Sequence, residues 1–408
     1  MEQTLQKEDL SMKFFGSTSD FDVESESKAV KENMDNLKKL PVREFTFKKK
    51  YDEINSLEDS FISNARQFKA QIWTPSDIND EKLTIKEIEE LQPRIQIIDN
   101  PKSEEEWLQI RIFCHSAEYE QTPGRYVKIL ILHEDKILGF CAIASDIPSM
   151  KCRDEFIGWS KEIRMARDGA GTLLNSAVGT TIAPTQPLGY NFLGGKLVAT
   201  MLTTKVVRDC WFNKYENVLA GITTTSLYEQ DKKNQGSQYD GMEWCWKKCG
   251  VSAGKVPIKP DEKIYKKWHD YIKEENPEEY AKMMTQKEGV SGPVTSAKMR
   301  VLNMIFDEAG IKAQNYNHGF ERGVYYSPFY ENTKEFLRGE IKEKDLKMKA
   351  RIEGDVPAIL NWWKPKAIER YKKLKTENRL NSNKLFYDKM FKITYEKAKE
   401  LYFDQVGR

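Results

Sequence analysis

The stretch Thr172–Ser226 constrains the fold more than any other part of this chain. It reads as a β-rich run (TLLNSAVGTTIAP), a Pro/Gly turn (TQPLGYNFLGGK), an apolar-periodic helix (LVATMLTTKVVRDCWFNKY) and a second β-rich run (NVLAGITTTS). Strand, glycine turn, helix and strand in that order bring backbone N–H groups together at the turn. The helix N-terminus adds the positive end of its dipole. A phosphorylated ligand, either a cofactor or a nucleic-acid backbone, is the first expectation.

Charge is balanced overall, 65 Lys and Arg against 63 Asp and Glu, so the molecule as a whole is no polycation. Its distribution is uneven. The first 40 residues lean acidic, whereas Ile341 to Arg408 hold 18 Lys and Arg against 10 Asp and Glu. That local surplus of basic residues is of the kind that attracts polyanions. No window approaches the roughly 18–20 apolar residues of a membrane span. The N-terminus lacks a basic-then-apolar signal pattern. A soluble, cytoplasmic protein without membrane partners is expected. The cysteines at 114, 141, 152, 210, 245 and 249 are scattered, and the histidines lie out of register with Cys245 and Cys249. Core thiols are therefore expected, and no metal site.

Three segments follow from composition. Residues 1–83 read as a partly disordered N-terminal arm, polar at its start and aromatic from Val42 onward. Residues 84–256 read as a mixed αβ core. There Thr84 and Glu87 suggest a capping box, and Ser103 an N-cap for the helix that follows. Within it YVKILILHEDKILGFCAIAS is the clearest hairpin, its turn at His133–Lys136. Residues 257–408 read as a helical region rich in Lys and aromatics.

The central succession of helix, two antiparallel strands, strand, glycine turn, helix and strand resembles the GNAT (N-acetyltransferase) fold. The fold class expected is thus α+β, a GNAT-like mixed sheet flanked by helices, with a helical C-terminal extension. The wording of R153-D-E-F-I-G-W159, Y190-N-F-L-G-G-K-L197, G221-I-T-T-T-S-L227 and S237-Q-Y239 resembles the DruA family of the Druantia anti-phage system. R322-G-V-Y-Y-S-P-F-Y330 and E335-F-L-R-G339 extend that likeness, which covers about residues 84 to 340. A remote similarity to phage Mu Mom, a GNAT-like enzyme that modifies DNA bases, rests on fold analogy alone.

The GNAT resemblance implies a loop that holds the pyrophosphate of acyl-CoA or a related phosphorylated donor. The family pattern Gln/Arg-x-x-Gly-x-Gly/Ala is met here at Gln186 and Gly189 but has Asn191 at its end. Gly194, Gly195 and Lys196 offer a second candidate. Glycines there equally serve a plain strand-to-helix turn, and Asn191 suits a helix cap. Aspartate at both Gly194 and Gly195 is expected to abolish donor binding and leave the fold intact. A tyrosine after the last core strand protonates the leaving thiolate in the resembling enzymes, which points to Tyr228 or Tyr239. Glu162 is placed as a general base, although carboxylates in such positions commonly face solvent.

For nucleic acid, most simply DNA, the tail interleaves aromatics with cations: Trp362, Trp363, Lys364, Lys366, Arg370, Lys372 and Lys373. Stacking residues and phosphate-pairing bases are what such surfaces combine. Arg153 and Arg164 are further phosphate contacts by charge. Three readings follow. The first is a DNA-modifying acyl-type transferase of phage, mobile-element or defence origin. The second is a non-catalytic DNA-binding component with protein partners. The third is a phage structural or assembly protein, located in the virion.

Overall fold

The computed structural model describes residues 21–119, 124–166, 171–227, 237–253, 256–284, 297–350, 355–382 and 387–406. They form two compact units. One comprises residues 1–39, 257–291 and 295–317, the other residues 40–256, 292–294 and 318–408.

The larger unit is built on a mixed sheet. Its strands are β1 (Pro93–Ile98), β2 (Tyr126–His133), β3 (Lys136–Ser145), β4 (Ser176–Pro184), β5 (Gly221–Ser226), β6 (Lys247–Val251) and β7 (Gly323–Pro328). Their spatial order is β1-β2-β3-β4-β5-β7-β6. The hairpin forms as read, with Tyr126 opposite Ala144 and the chain turning at Glu134 and Asp135. All pairings are antiparallel except β4 with β5. That pair is parallel because a helical crossover, not a hairpin, joins the two strands. It covers only Ser176–Gly221 to Gly179–Thr224, although β4 runs on to Pro184. Beyond Gly179 the two strands part.

Helix α1 (Pro101–Cys114) covers one face of β1 to β4, with Trp107 and Ile110 against Leu130, Leu132 and Phe140. The Trp107 indole N–H donates to the carbonyls of Ile129 and Cys141, both at 3.1 Å. Helix α2 (Lys151–Ile157) covers the same face further along, beside β7 and β6. The other face carries α3 (Leu188–Asn191), α4 (Gly194–Met201) and α5 (Lys205–Tyr215), with α7 (Asp355–Thr376) packed over α3 and α4. The short α6 (Thr333–Leu337) follows β7. An eight-residue helix that opens on two glycines does not persist on propensity alone. Seven of the eight residues of α4 are buried, and each large apolar side chain fully removed from water contributes about 1.5–3 kcal/mol. Packing under α7 makes that helix.

Several boundaries differ from expectation. The first core helix runs Glu81–Glu90 and is capped by Asp80, whose carboxylate accepts from Leu83 N–H; Thr84 lies inside it. The next helix starts at Pro101, with Asn100 accepting from Ser103 N–H. Asn, Asp and Ser cap about equally well, so position decides: Asp80 and Asn100 each stand three residues before the amide they accept from. The residues after Val42 fold as helices Val42–Asn55 and Asp59–Gln67, which share a core with Tyr395–Val406 through Phe47, Ile62, Met390 and Ala398. Strand β7 lies in the middle of the segment read as helical, and pairs with both β5 and β6.

In the smaller unit, helix Val23–Lys39 buries Val30, Met34 and Leu37, and helix Glu262–Glu275 buries Tyr265, Trp268 and Ile272. Asn33 and Asp261 exchange two hydrogen bonds, at 2.8 and 3.0 Å, which fasten the first helix to the start of the second.

Candidate nucleic-acid interface

Where β4 leaves β5, the gap is filled by residues Ser237 to Asp240. The Gln238 amide donates to the Ile182 carbonyl on the unpaired edge of β4 (3.1 Å) and to the Tyr239 hydroxyl (2.9 Å). Tyr239 is buried, lies beside Thr224 of β5, and burial pushes its hydroxyl up to about 12. It is a proton-bearing group at neutral pH, set between the diverging strands. Asp240 accepts from the Tyr325 hydroxyl (3.0 Å), and the Lys196 ammonium donates to the carbonyls of Gln238 and Asp240.

The glycine turn itself is closely packed. Gly189, Asn191 and Phe192 N–H donate to the Thr185, Pro187 and Leu188 carbonyls, and Tyr190 N–H donates to Gln186 Oε1 (3.0 Å). These amides complete a helical turn instead of pointing at a common centre. A Cβ on Gly194 would stand 2.9 Å from the Leu188 backbone, and one on Gly195 2.4 Å from Gln238 Oε1. Both glycines are there because another part of the chain approaches. The expectation that aspartate at both leaves the fold intact therefore fails on sterics. Asn191 does not cap α4, whose N-cap position is Leu193. Its buried amide instead donates to Asn381 O (2.6 Å) and accepts from Asn381 N–H (3.0 Å).

The basic tail helix meets this turn. Along α7, Trp363, Ala367, Tyr371 and Leu374 face inward, with Trp363 Nε1 donating to Leu193 O (3.1 Å). Trp362, Lys366 and Arg370 follow one another at helical spacing on an outer face. The Lys366 ammonium lies 5.8 Å from the Trp362 ring centre, and the Arg370 guanidinium 5.5 Å from that of Tyr190. Arg379 reaches toward the Tyr190 hydroxyl at 3.5 Å. Burial lowers the Lys196 pKa; Asp240 and Glu243 oppose that, and the charge of Lys366 adds to it. So Lys196 from the turn and Lys366 from the tail, 170 positions apart, share one electrostatic neighbourhood. Lys372 and Lys373 are exposed further along the helix, while Lys364 donates to Glu89 O (2.6 Å).

Arg153 and Arg164 have a different setting. Arg153 is fully buried, with Nη1 2.6 Å from Asp146 and its other nitrogens on Asp154; Arg164 Nη1 is 2.8 Å from Asp154. Asp146 also accepts from the Ser176 and Thr223 hydroxyls. Trp159 lies between the two guanidiniums, 5.3 and 5.9 Å from its ring centre. Two cations and two carboxylates thus neutralise each other under α2, and neither arginine offers a guanidinium to a phosphate. Buried Trp363 likewise offers no stacking face. Glu162 is exposed in the first turn of helix Lys161–Arg164, and its carboxyl is held below the usual range by the N–H and Ser160 hydroxyl there. Tyr228 lies outside the described residues.

Reading the sequence passed over Asp146, Tyr190, Gln238 and Arg379. Tyr190 carried a signal, an aromatic beside a glycine turn. Gln238 and Asp146 carried none, since their roles come from strands and loops remote in the chain. Among the described residues no group of His, Cys, Asp and Glu is placed to hold a metal ion. No described helix is long and apolar enough to cross a membrane.

No curated protein and no solved structure matches the chain. The family described as Druantia protein DruA matches it over residues 36–339, from the end of the first helix through the RGVYYSPFY strand to Gly339. With well over half its 408 residues matched, and with the RDEFIGW, YNFLGGK and SQY segments inside the match, the chain belongs to the DruA family.

Proposed function

We propose that this chain is the nucleic-acid-engaging component of an anti-phage defence system, and that it binds through the face shared by α7 and the 186–196 turn. Membership of the DruA family supports the defence setting. One observation carries the interface: Lys366 and Arg370 of the tail converge with Lys196 and Tyr190 of the turn. Cations beside half-buried rings suit a phosphate backbone with bases stacked near it. The test is fluorescence anisotropy with labelled DNA over a range of salt, comparing the wild type with Lys366→Glu/Arg370→Glu. Loss of two phosphate contacts is expected to lower affinity at least about tenfold and to reduce the salt slope by roughly 2. Unchanged affinity and slope in the double variant would sink the proposal.

A second reading, a GNAT-type transferase acting on a nucleic-acid base, is favoured by the parting of β4 and β5 with the Tyr239 hydroxyl between them. The succession of antiparallel strands, glycine turn, helix and parallel strand supports the resemblance read from the sequence. A donor such as acyl-CoA would have to displace Gln238 from Ile182. Titration calorimetry with coenzyme A, together with mass spectrometry of nucleosides from cells carrying wild type or Tyr239→Phe, separates the two readings. No heat and no new nucleoside would leave the binding role alone.

A further inference from the structure

Two aromatic rings lie within the basic face shared by α7 and the turn. Both are half-buried, and each has a cation set over it. The Arg370 guanidinium is 5.5 Å from the Tyr190 ring centre, and the Lys366 ammonium 5.8 Å from that of Trp362. The rings are fastened from behind. Tyr190 N–H donates to Gln186 Oε1 (3.0 Å), and the Trp362 ring meets Trp244 at 70° with 5.4 Å between centres. The cations are held more loosely. Arg370 Nε is 3.5 Å from Tyr190 O and Arg379 Nη2 3.5 Å from the Tyr190 hydroxyl, both at the outer limit of a hydrogen bond. Among the described residues neither Lys366 nor Arg370 is ion-paired, whereas Lys373 and Arg379 share Glu377.

Charge alone has no use for the rings, and charge alone favours a duplex. Each phosphate contact steepens the salt dependence by about 0.9 on a duplex against about 0.7 on a single strand. A duplex keeps its bases stacked on one another, whereas a single strand presents their faces to side chains. When a phosphate draws Arg370 or Lys366 aside, the ring beneath is uncovered for a base. A cation over a ring near the surface is worth about two- to fivefold in an equilibrium constant. A base stacked on the same ring is worth about five- to 150-fold. The exchange therefore runs toward the stacked base, and the phosphate contact is gained besides. Glu369 on α7 and Glu377 just past it are exposed among the cations, and they oppose the denser charge of a duplex more than that of one strand.

We infer, on the strength of the binding role proposed for this face, that its ligand is single-stranded nucleic acid. Tyr190 is the stacking residue that selects it, and Trp362 is the second ring. Lys366 and Arg370, one helical turn apart on α7, take the phosphates beside the stacked bases.

The test is fluorescence anisotropy of the full chain at one salt concentration with three labelled DNA probes: a mixed-sequence single strand, an abasic strand of the same length, and the duplex of the first. The wild type is expected to bind the single strand at least about tenfold more tightly than the abasic strand, and more tightly than the duplex. Tyr190→Leu, its fold checked by thermal unfolding, should lower affinity for the single strand at least about fivefold and for the abasic strand less than about twofold. Tyr190→Phe keeps the ring and should restore the difference. Lys366→Glu/Arg370→Glu should weaken all three probes. An abasic strand or a duplex that the wild type binds as tightly as the single strand overturns the inference. If the charge variant still weakens every probe in that case, the binding role of the face stands without it. Probes bound equally by the wild type and the charge variant remove the binding role and the inference together. A folded Tyr190→Leu with full affinity for the single strand also overturns the inference, since base recognition then lies elsewhere.

Discussion

Replacing Arg153 with Met separates a buried structural ion from a ligand-binding one. The guanidinium is wholly buried and meets Asp146 and Asp154, each at 2.6 Å. Methionine keeps most of the side-chain volume, so the change is chiefly one of charge. It leaves the Asp146 carboxylate without a cation, held by the Ser176 and Thr223 hydroxyls and the Ile147 N–H, and leaves Asp154 with Arg164. Removing one partner of a buried pair costs about 3–5 kcal/mol. With a urea dependence near 3 kcal/mol per molar, the unfolding midpoint should fall by roughly 1–1.7 M. The assay is urea unfolding of both proteins followed by tryptophan fluorescence, since Trp159 lies against this arginine. DNA affinity under native conditions should change little. A midpoint shift under about 0.3 M, combined with a tenfold loss of DNA affinity, would refute the reasoning and return Arg153 to a binding surface.

Four further outcomes are expected. Gly194→Ala should destabilise more than Gly195→Ala, by about 1–3 kcal/mol against less than about 1, because the first meets Leu188 backbone and the second only the end of Gln238; equal denaturation midpoints would contradict this. Asn191→Ala should cost about 1–3 kcal/mol and speed amide hydrogen exchange at Asn381, whose N–H loses its acceptor; unchanged exchange there would disprove the latch. Lys50, fully buried beside Glu53, has its pKa lowered from 10.5 to about 8 by burial. Its folded form therefore releases its proton before the unfolded chain does. The wild type should gain on Lys50→Met as pH rises from about 8 to 10.5, by about 3 kcal/mol in total; a difference in stability independent of pH would exclude it. Finally, Gln238→Ala should leave the Ile182 carbonyl without its partner and speed amide hydrogen exchange at residues 237–240, read by mass spectrometry; unchanged exchange there would argue against Gln238 fastening these residues to β4.

Much of the fold was legible because it is local. Alternating β-branched runs on either side of a polar turn specify the 126–145 hairpin. A β-rich run, a Pro/Gly turn and an apolar-periodic helix specify β4, the turn and α4. The family wording was legible too, since it lies in contiguous words such as RDEFIGW. What escaped was set by contacts between distant segments. Strand β7 sits in a segment whose composition reads as helical, and only pairing with β5 and β6 shows it to be part of the sheet. Arg153 has the same charge as Arg370, and no local pattern says that one is sealed under α2 while the other lies over Tyr190. The glycines at 194 and 195 announce close approach, but not of what; Leu188 and Gln238 supply the answer. By itself the sequence determined the hairpin, the strand–turn–helix of the central region and the family, because periodicity and turn chemistry act within a few residues. Only the tertiary structure decided which charges meet solvent, because burial depends on what the rest of the chain brings alongside.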